Sequence, residues 1–161
     1  MKIIEKKHRL QTEYYMGQTT VAFTACLDHN RYPVVDDKIV RMAIDILTHA
    51  VTKNHCIVPC YCFMPDHLHV IIMGINEKAC VWQALVEFKQ KTGYWMSKNR
   101  PDISWQKDFF DHVIRPEEDL GTQVRYILDN PVRKRLVETW REYPYSGAID
   151  CTLEDVLYGI L

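Results

Sequence analysis

An α+β fold, an antiparallel sheet of split βαβ order with two helices on one face, is what this sequence predicts. Three observations predict it. The segments run strand, helix, strand, strand, helix, strand and a further helix. The second and third strands are separated only by Met64-Pro65-Asp66, which makes them a hairpin. The two long helical segments each carry one apolar stripe, as helices covering a single sheet face do.

Residues 1–18 are polar, hold Tyr14, Tyr15 and Gly17, and predict no firm element. Thr19 to Leu27 is rich in β-formers and ends at Asp28-His29-Asn30, a turn signal. Asp36 or Asp37 caps a helix to about Lys53, with Ile39, Ala43, Ile46, Leu47 and Ala50 at helical spacing. His55 to Phe63 is apolar on both faces, as a central strand is. A strand from His67 to Met73 completes the hairpin, and Gly74 ends it.

Asn76 caps the next predicted helix, in which Trp82, Leu85, Val86, Phe88, Thr92 and Trp95 trace an apolar face to about Lys98. Trp105 to Arg115 reads as a fourth strand. Pro116 opens another helix, with Glu117, Glu118 and Asp119 in its first turn, where negative charge suits the dipole. Its stripe is Leu120, Val124, Ile127 and Leu128, and Pro131 marks its end. The order is that of a ferredoxin-like sheet with an additional C-terminal helix. A single domain of 161 residues is expected, with its core at about 19–130 and an extension over 131–161.

Composition narrows the classes. Hydrophobic residues make up 47% and charged residues 25%, ordinary for a globular protein. No apolar run approaches the roughly 20 residues of a membrane span. The N-terminus is too polar for a signal peptide, so a cytoplasmic address is expected. Without export, disulfides are not expected of the six cysteines, and no Cys-x-x-Cys pair exists; buried thiols are the plain reading. A zinc site using Cys56, Cys60 or Cys62 with histidine is a competing one.

Chemistry enters at His67-Leu68-His69. Alternate strand residues leave one face, so the two imidazoles project together while Leu68, Val70 and Ile72 face the other way. Paired imidazoles on a rigid strand make half of a metal site. On the last predicted helix Tyr126 lies off the apolar stripe, and Asn130, four residues on, shares its face.

Here the residues carry a resemblance. Cys62-Phe63-Met64-Pro65-Asp66-His67-Leu68-His69-Val70-Ile71-Ile72 resembles the HUH motif of the single-tyrosine, IS200-like transposases. Phe109-Phe110-Asp111-His112-Val113-Ile114-Arg115, Tyr126-Ile127-Leu128-Asp129-Asn130-Pro131-Val132-Arg133 and Trp140-Arg141-Glu142-Tyr143-Pro144-Tyr145-Ser146 are similar to that family's later segments, in the family's order. The REP-associated tyrosine transposase branch is the nearest. A lone His-x-His is weak evidence, whereas the ordered set is specific.

The resemblance implies a DNA strand transferase acting on hairpin-bearing single strands. Tyr126 is then the nucleophile, forming a 5′-phosphotyrosine. His67, His69 and Asn130 hold one divalent cation, Mg²⁺ or Mn²⁺, and imidazole ligands favour Mn²⁺ of the two. Asn130 stands where relatives outside the branch often carry glutamine. Asp66, Asp111 and His112 are candidate supporting groups. The resemblance leaves a helix-swapped homodimer and a monomer both open, and places the protein at the nucleoid while it acts.

The net charge of −1 argues against an indiscriminate polyanion binder, but charge is segregated. Residues 83–107 and 123–141 are each basic, and residues 108–120 between them are acidic. Lys89, Lys91, Arg125, Arg133 and Lys134 are the candidate DNA contacts. Against the active enzyme stands a second class: an inactive or host-adopted relative that binds structured single strands without chemistry.

Overall fold

In the computed structural model of the protein, which describes residues 11–28 and 36–161, five strands form one antiparallel sheet in the order β4-β1-β3-β2-β5. They are β1 (Thr20–Leu27), β2 (Cys56–Phe63), β3 (His67–Gly74), β4 (Trp105–Val113) and β5 (Ser146–Ile149). The first four occupy the split βαβ order. Helices α1 (Asp37–Lys53) and α2 (Val81–Asn99) connect them. Then follow α3 (Leu120–Leu128), α4 (Asn130–Arg133) and α5 (Leu153–Leu157). No helix among the described residues is long and apolar enough to cross a membrane.

The sheet separates two apolar clusters. On one face Val21, Phe23, Ala25, Leu68, Val70 and Ile72 pack under α1 and α2. On the other, Cys60, Cys62 and Ile71 pack under Val124, Ile127 and Leu128 of α3. In β2 the register shifts between Ile57 and Cys60, and Pro59 sits in that irregularity, where a residue without an N–H is tolerated in a central strand. The shift lets Val58 and Tyr61 share one face while Cys60 and Cys62 share the other.

Helix α1 begins where expected, with the Asp36 carboxylate accepting from Ile39 N at 2.9 Å. Helix α2 does not: its N-cap is Cys80 rather than Asn76. Asn76 instead accepts from Lys78 N at 2.9 Å, closing a turn of its own. The buried stripe is accordingly Val81, Ala84, Leu85, Phe88, Thr92 and Met96, with Trp82 and Trp95 only partly buried. Thr92 is fully buried and satisfied, donating to Phe88 O at 2.7 Å and accepting from Trp105 Nε1 at 2.8 Å.

Strand β4 stops at Val113, two residues earlier than its pattern suggested. Helix α3 starts at Leu120 rather than Pro116, because Asp119 is its cap, accepting from Thr122 N at 3.0 Å. Glu118 is drawn into the preceding turn by Arg115 N at 2.7 Å. Pro131 does not end helical structure. It occupies the first turn of α4, where its missing N–H costs nothing. Tyr126 therefore lies on α3, and α4 and α5 follow it.

Strand β5, unforeseen, returns the C-terminal segment to the free edge of β2 through Val58↔Ile149, Tyr61↔Gly147 and Cys62↔Ser146. Phe63 N also donates to Tyr145 O at 2.9 Å, and Tyr143 Oη to Phe63 O at 2.5 Å. The start of the chain is tied to the end of β3: a Cβ on Gly74 would lie 2.0 Å from Gly17 O and 2.8 Å from Ala79 Cβ. One of these is backbone and cannot swing aside. Gly74→Ala is expected to cost about 3 kcal/mol, seen as a Tm lower by roughly 6–12 °C. An unchanged Tm would show that this approach is not tight.

Candidate active site where the histidine strand meets a broken helix

Strand β3 buries Leu68, Val70 and Ile72 under α1 and α2, so its alternation turns His67 and His69 to the face that carries α3. Hydrogen bonds fix both rings. His67 Nδ1–H donates to Asp66 Oδ1 at 2.5 Å. His69, opposite Thr24 on β1, has its Nδ1 3.1 Å from Thr24 Oγ1. With each Nδ1 occupied, the two Nε2 atoms face each other at 3.0 Å. Two lone pairs at that distance repel unless a cation or proton lies between them.

Electrostatics keeps His69 neutral. Burial is the largest cause, followed by the charges of His67 and Arg133, and its pKa is pushed down to about 4. An unprotonated imidazole is the form that ligates a metal.

The opposite wall comes from α3 and α4. Val124, Ile127 and Leu128 seat α3 on the sheet, and α4 begins directly after Asp129. Asn130 is 7% exposed, one of two buried polar residues among those described. Its Nδ2 lies 3.4 Å from His67 Nε2, long for a hydrogen bond but well within reach of the same site.

Tyr126 is 62% exposed on α3. The Arg133 guanidinium carbon sits 4.1 Å from its ring centroid, and Arg133 Nη2 donates to Tyr126 O at 2.9 Å. A cation–π contact at an exposed site contributes about 0.5–1 kcal/mol. The sequence suggested that Tyr126 and Asn130 share one helix face. Tyr126 lies on α3 and Asn130 opens α4, with Asp129 between them in helical geometry; Tyr126 is exposed and Asn130 buried.

Other candidates divide. Arg125, beside Tyr126, donates to Leu157 O at 2.9 Å, and Lys134 is exposed at the end of α4. Lys89 and Lys91 are not brought to this site, since α2 covers the opposite sheet face. Lys89 Nζ donates there to Gln106 O at 2.9 Å and lies over the Phe109 ring. Asp111 accepts a hydrogen bond from Tyr15 Oη, whose ring packs in the α1–α2 cluster, and His112 pairs with Glu118 at 2.8 Å. Two contributors were not seen in the sequence: Thr24, whose partner depends on strand register, and the contact of Arg133 with the tyrosine ring.

The cysteine–zinc reading finds no support. Cys56 lies in the α1–α2 cluster, while Cys60 and Cys62 lie in the other. Burial raises the pKa of all three thiols, that of Cys56 to about 12 and that of Cys62 to about 11. Among the described residues no group of three His, Cys, Asp or Glu side chains is placed to hold a metal. The arrangement above consists of two imidazoles and an amide.

Comparison with known proteins agrees with the fold. A protein of Haemophilus influenzae, provisionally named a REP-associated tyrosine transposase, is 30% identical over 98 residues, covering 53% of this chain and 55% of that protein. The match thus spans about half the length of the curated relative. A solved REP-associated tyrosine transposase bound to a REP hairpin superposes with a TM-score of 0.69 at 23% identity, covering 86% of this chain and 81% of the other. A provisionally assigned transposase of Deinococcus radiodurans gives 0.51 at 15% identity, over 76% and 97% of the two chains. At these identities the two structures speak for the fold alone. The family described as "Transposase IS200 like" matches residues 5–142, a stretch that runs from before β1 to beyond α4. That span includes the histidine strand, the tyrosine helix and the sheet joining them, and on it the chain belongs to the IS200-like transposase family.

Proposed function

We propose that the protein is a DNA strand transferase that cleaves and rejoins hairpin-bearing single-stranded DNA through a 5′-phosphotyrosine on Tyr126, with one divalent cation held by His67, His69 and Asn130. One observation carries this reading. Two imidazole lone pairs 3.0 Å apart, an amide 3.4 Å from one of them, and the helical segment that links that amide to an exposed tyrosine converge on one sheet face.

The residues fit such a cation. Asp66 and Thr24 hold the far side of each ring, which fixes the tautomer that leaves Nε2 free to ligate. Asn130 faces His67 Nε2 through its Nδ2, and its carbonyl oxygen would be the third donor once the amide turns about its Cβ–Cγ bond. Two imidazoles with one amide suit Mn²⁺ better than Mg²⁺, which prefers oxygen throughout. A bound divalent cation supplies Lewis-acid stabilisation at a non-bridging oxygen of the scissile phosphate.

The chain's own residues do the rest. The Tyr126 phenolic oxygen bonds to phosphorus as the bond from phosphorus to the 3′ oxygen breaks, and the 3′-hydroxyl departs with a proton. The covalent link retains the phosphodiester's energy, so a second 3′-hydroxyl can displace Tyr126 and reseal the strand. Arg125 and Lys134, near the tyrosine, are the proposed phosphate contacts; Arg133 is engaged by Tyr126 itself, and Lys89 and Lys91, across the sheet, are left out of that set. The REP hairpin bound by the solved relative is what recommends hairpin-bearing strands as the substrate class. Helix α3 packs on its own chain's sheet, and on this reading one protomer supplies His67, His69 and Asn130 together.

The test is to trap the intermediate. With a labelled hairpin oligonucleotide carrying single-stranded flanks and Mn²⁺, an SDS-stable adduct is expected that maps to the peptide containing Tyr126 and disappears with EDTA. Tight binding of the same oligonucleotide with no adduct under any divalent cation would favour the non-catalytic binder.

A further inference from the structure

We infer that Arg133 is a positioning residue of this reaction, a clamp that fixes the Tyr126 ring to the α3–α4 junction from which Asn130 reaches the histidines. The inference rests on the reading of the site just proposed. An exposed tyrosine near the end of a helix has several side-chain rotamers open to it, and a nucleophile spread over them spends little time in line for attack.

Arg133 restricts that freedom from two sides. Its guanidinium lies 4.1 Å from the ring centroid, and its Nη2 donates at 2.9 Å to the carbonyl of the same residue. The plate covering the ring is thus anchored to that ring's own backbone. Lysine, a point charge on a flexible stem, cannot make both contacts with one planar group.

Between the two residues Asp129 keeps helical geometry, its N–H on Arg125 O and its carbonyl accepting from Arg133 N, each at 2.9 Å. Arg133 thus stands about two turns beyond Tyr126, and its long side chain reaches back to the ring. Helix α4 is only four residues long, with Asn130 at one end and Arg133 at the other. One rigid turn therefore holds the amide near His67 and the guanidinium on Tyr126.

The experiment separates rate from affinity. In full-length protein with the hairpin oligonucleotide and Mn²⁺, Arg133→Ala is expected to slow single-turnover adduct formation at saturating DNA roughly tenfold to a hundredfold, with Kd for the oligonucleotide changed far less. Arg133→Lys is expected to recover only part of that loss. Millimolar guanidinium ion should speed Arg133→Ala and leave the unaltered protein as it was, which a merely structural role does not predict. A wild-type rate at saturation in Arg133→Ala, or a loss confined to Kd, overturns the clamp.

Tyr126→Phe is run alongside. If it still forms the adduct, the reading of the site fails; if it forms none while Arg133→Ala keeps the wild-type rate, only the clamp fails. A readout independent of catalysis completes the test. With 3-fluorotyrosine at position 126, the ¹⁹F resonance should stand away from that of a solvent-exposed tyrosine and move back to it in Arg133→Ala. A resonance at the exposed position from the start overturns the proposal, whatever the protein does to DNA.

Discussion

Tyr126→Phe is expected to abolish the covalent protein–DNA adduct while leaving hairpin binding within about threefold of the starting affinity. The substitution removes one oxygen and nothing else. The ring remains, so the cation–π contact with Arg133 at 4.1 Å persists, and α3 keeps its seat through Val124, Ile127 and Leu128. At 62% exposure, the hydroxyl's loss opens no cavity and leaves Tm unchanged. With no oxygen on that ring there is no bond to phosphorus, and the expected loss is complete rather than graded. Denaturing gels and strand-cleavage assays read the result, and an adduct in the variant would move the nucleophile elsewhere in the chain.

His69→Ala is expected to remove metal-dependent cleavage by about a hundredfold or more, since Lewis-acid stabilisation supplies several kcal/mol and each 1.4 kcal/mol is a factor of ten. The remaining His67 and Asn130 lack the facing imidazole at 3.0 Å. The control lies in thermal stability. Mn²⁺ that binds only the folded protein raises its Tm in proportion to the logarithm of concentration, and that rise should vanish in His69→Ala. Equal Mn²⁺ stabilisation in both proteins, or full cleavage in the variant, would remove the histidine pair from the metal site.

Much of the frame was readable because the signals that carry it are local. Alternation in β3 dictates that Leu68, Val70 and Ile72 go inward and His67 and His69 outward, and the sheet obeys it. The Asp36 cap and the hairpin at Met64-Pro65-Asp66 are local as well. Beyond that, competition between neighbours decides. Asp119 outcompetes Pro116 for the start of α3, because a carboxylate accepting from Thr122 N satisfies a donor that proline merely lacks. Strand β5, four residues reading Ser-Gly-Ala-Ile, has no β pattern of its own and exists because the edge of β2 offers it partners.

Within the candidate site the same division holds. His67, His69, Tyr126 and Asn130 were all picked out from motif order, and the fold brings His67, His69 and Asn130 within 3.4 Å of one another as a chain of contacts. Thr24 was not, because nothing in Thr19 to Leu27 says which β3 residue will lie opposite it. Nor was the contrast between an exposed Tyr126 and a buried Asn130, because burial there is decided by what packs against the helix.

The position of β3 has a consequence for the rigidity of the candidate site. It is flanked by β1 on one side and β2 on the other, so His67 and His69 cannot shift without breaking two ladders at once. Helix α4 is a single turn, seated through its buried Asn130 and Pro131. One half of the site is thus an anvil fixed by the sheet, and the other keeps its place by packing.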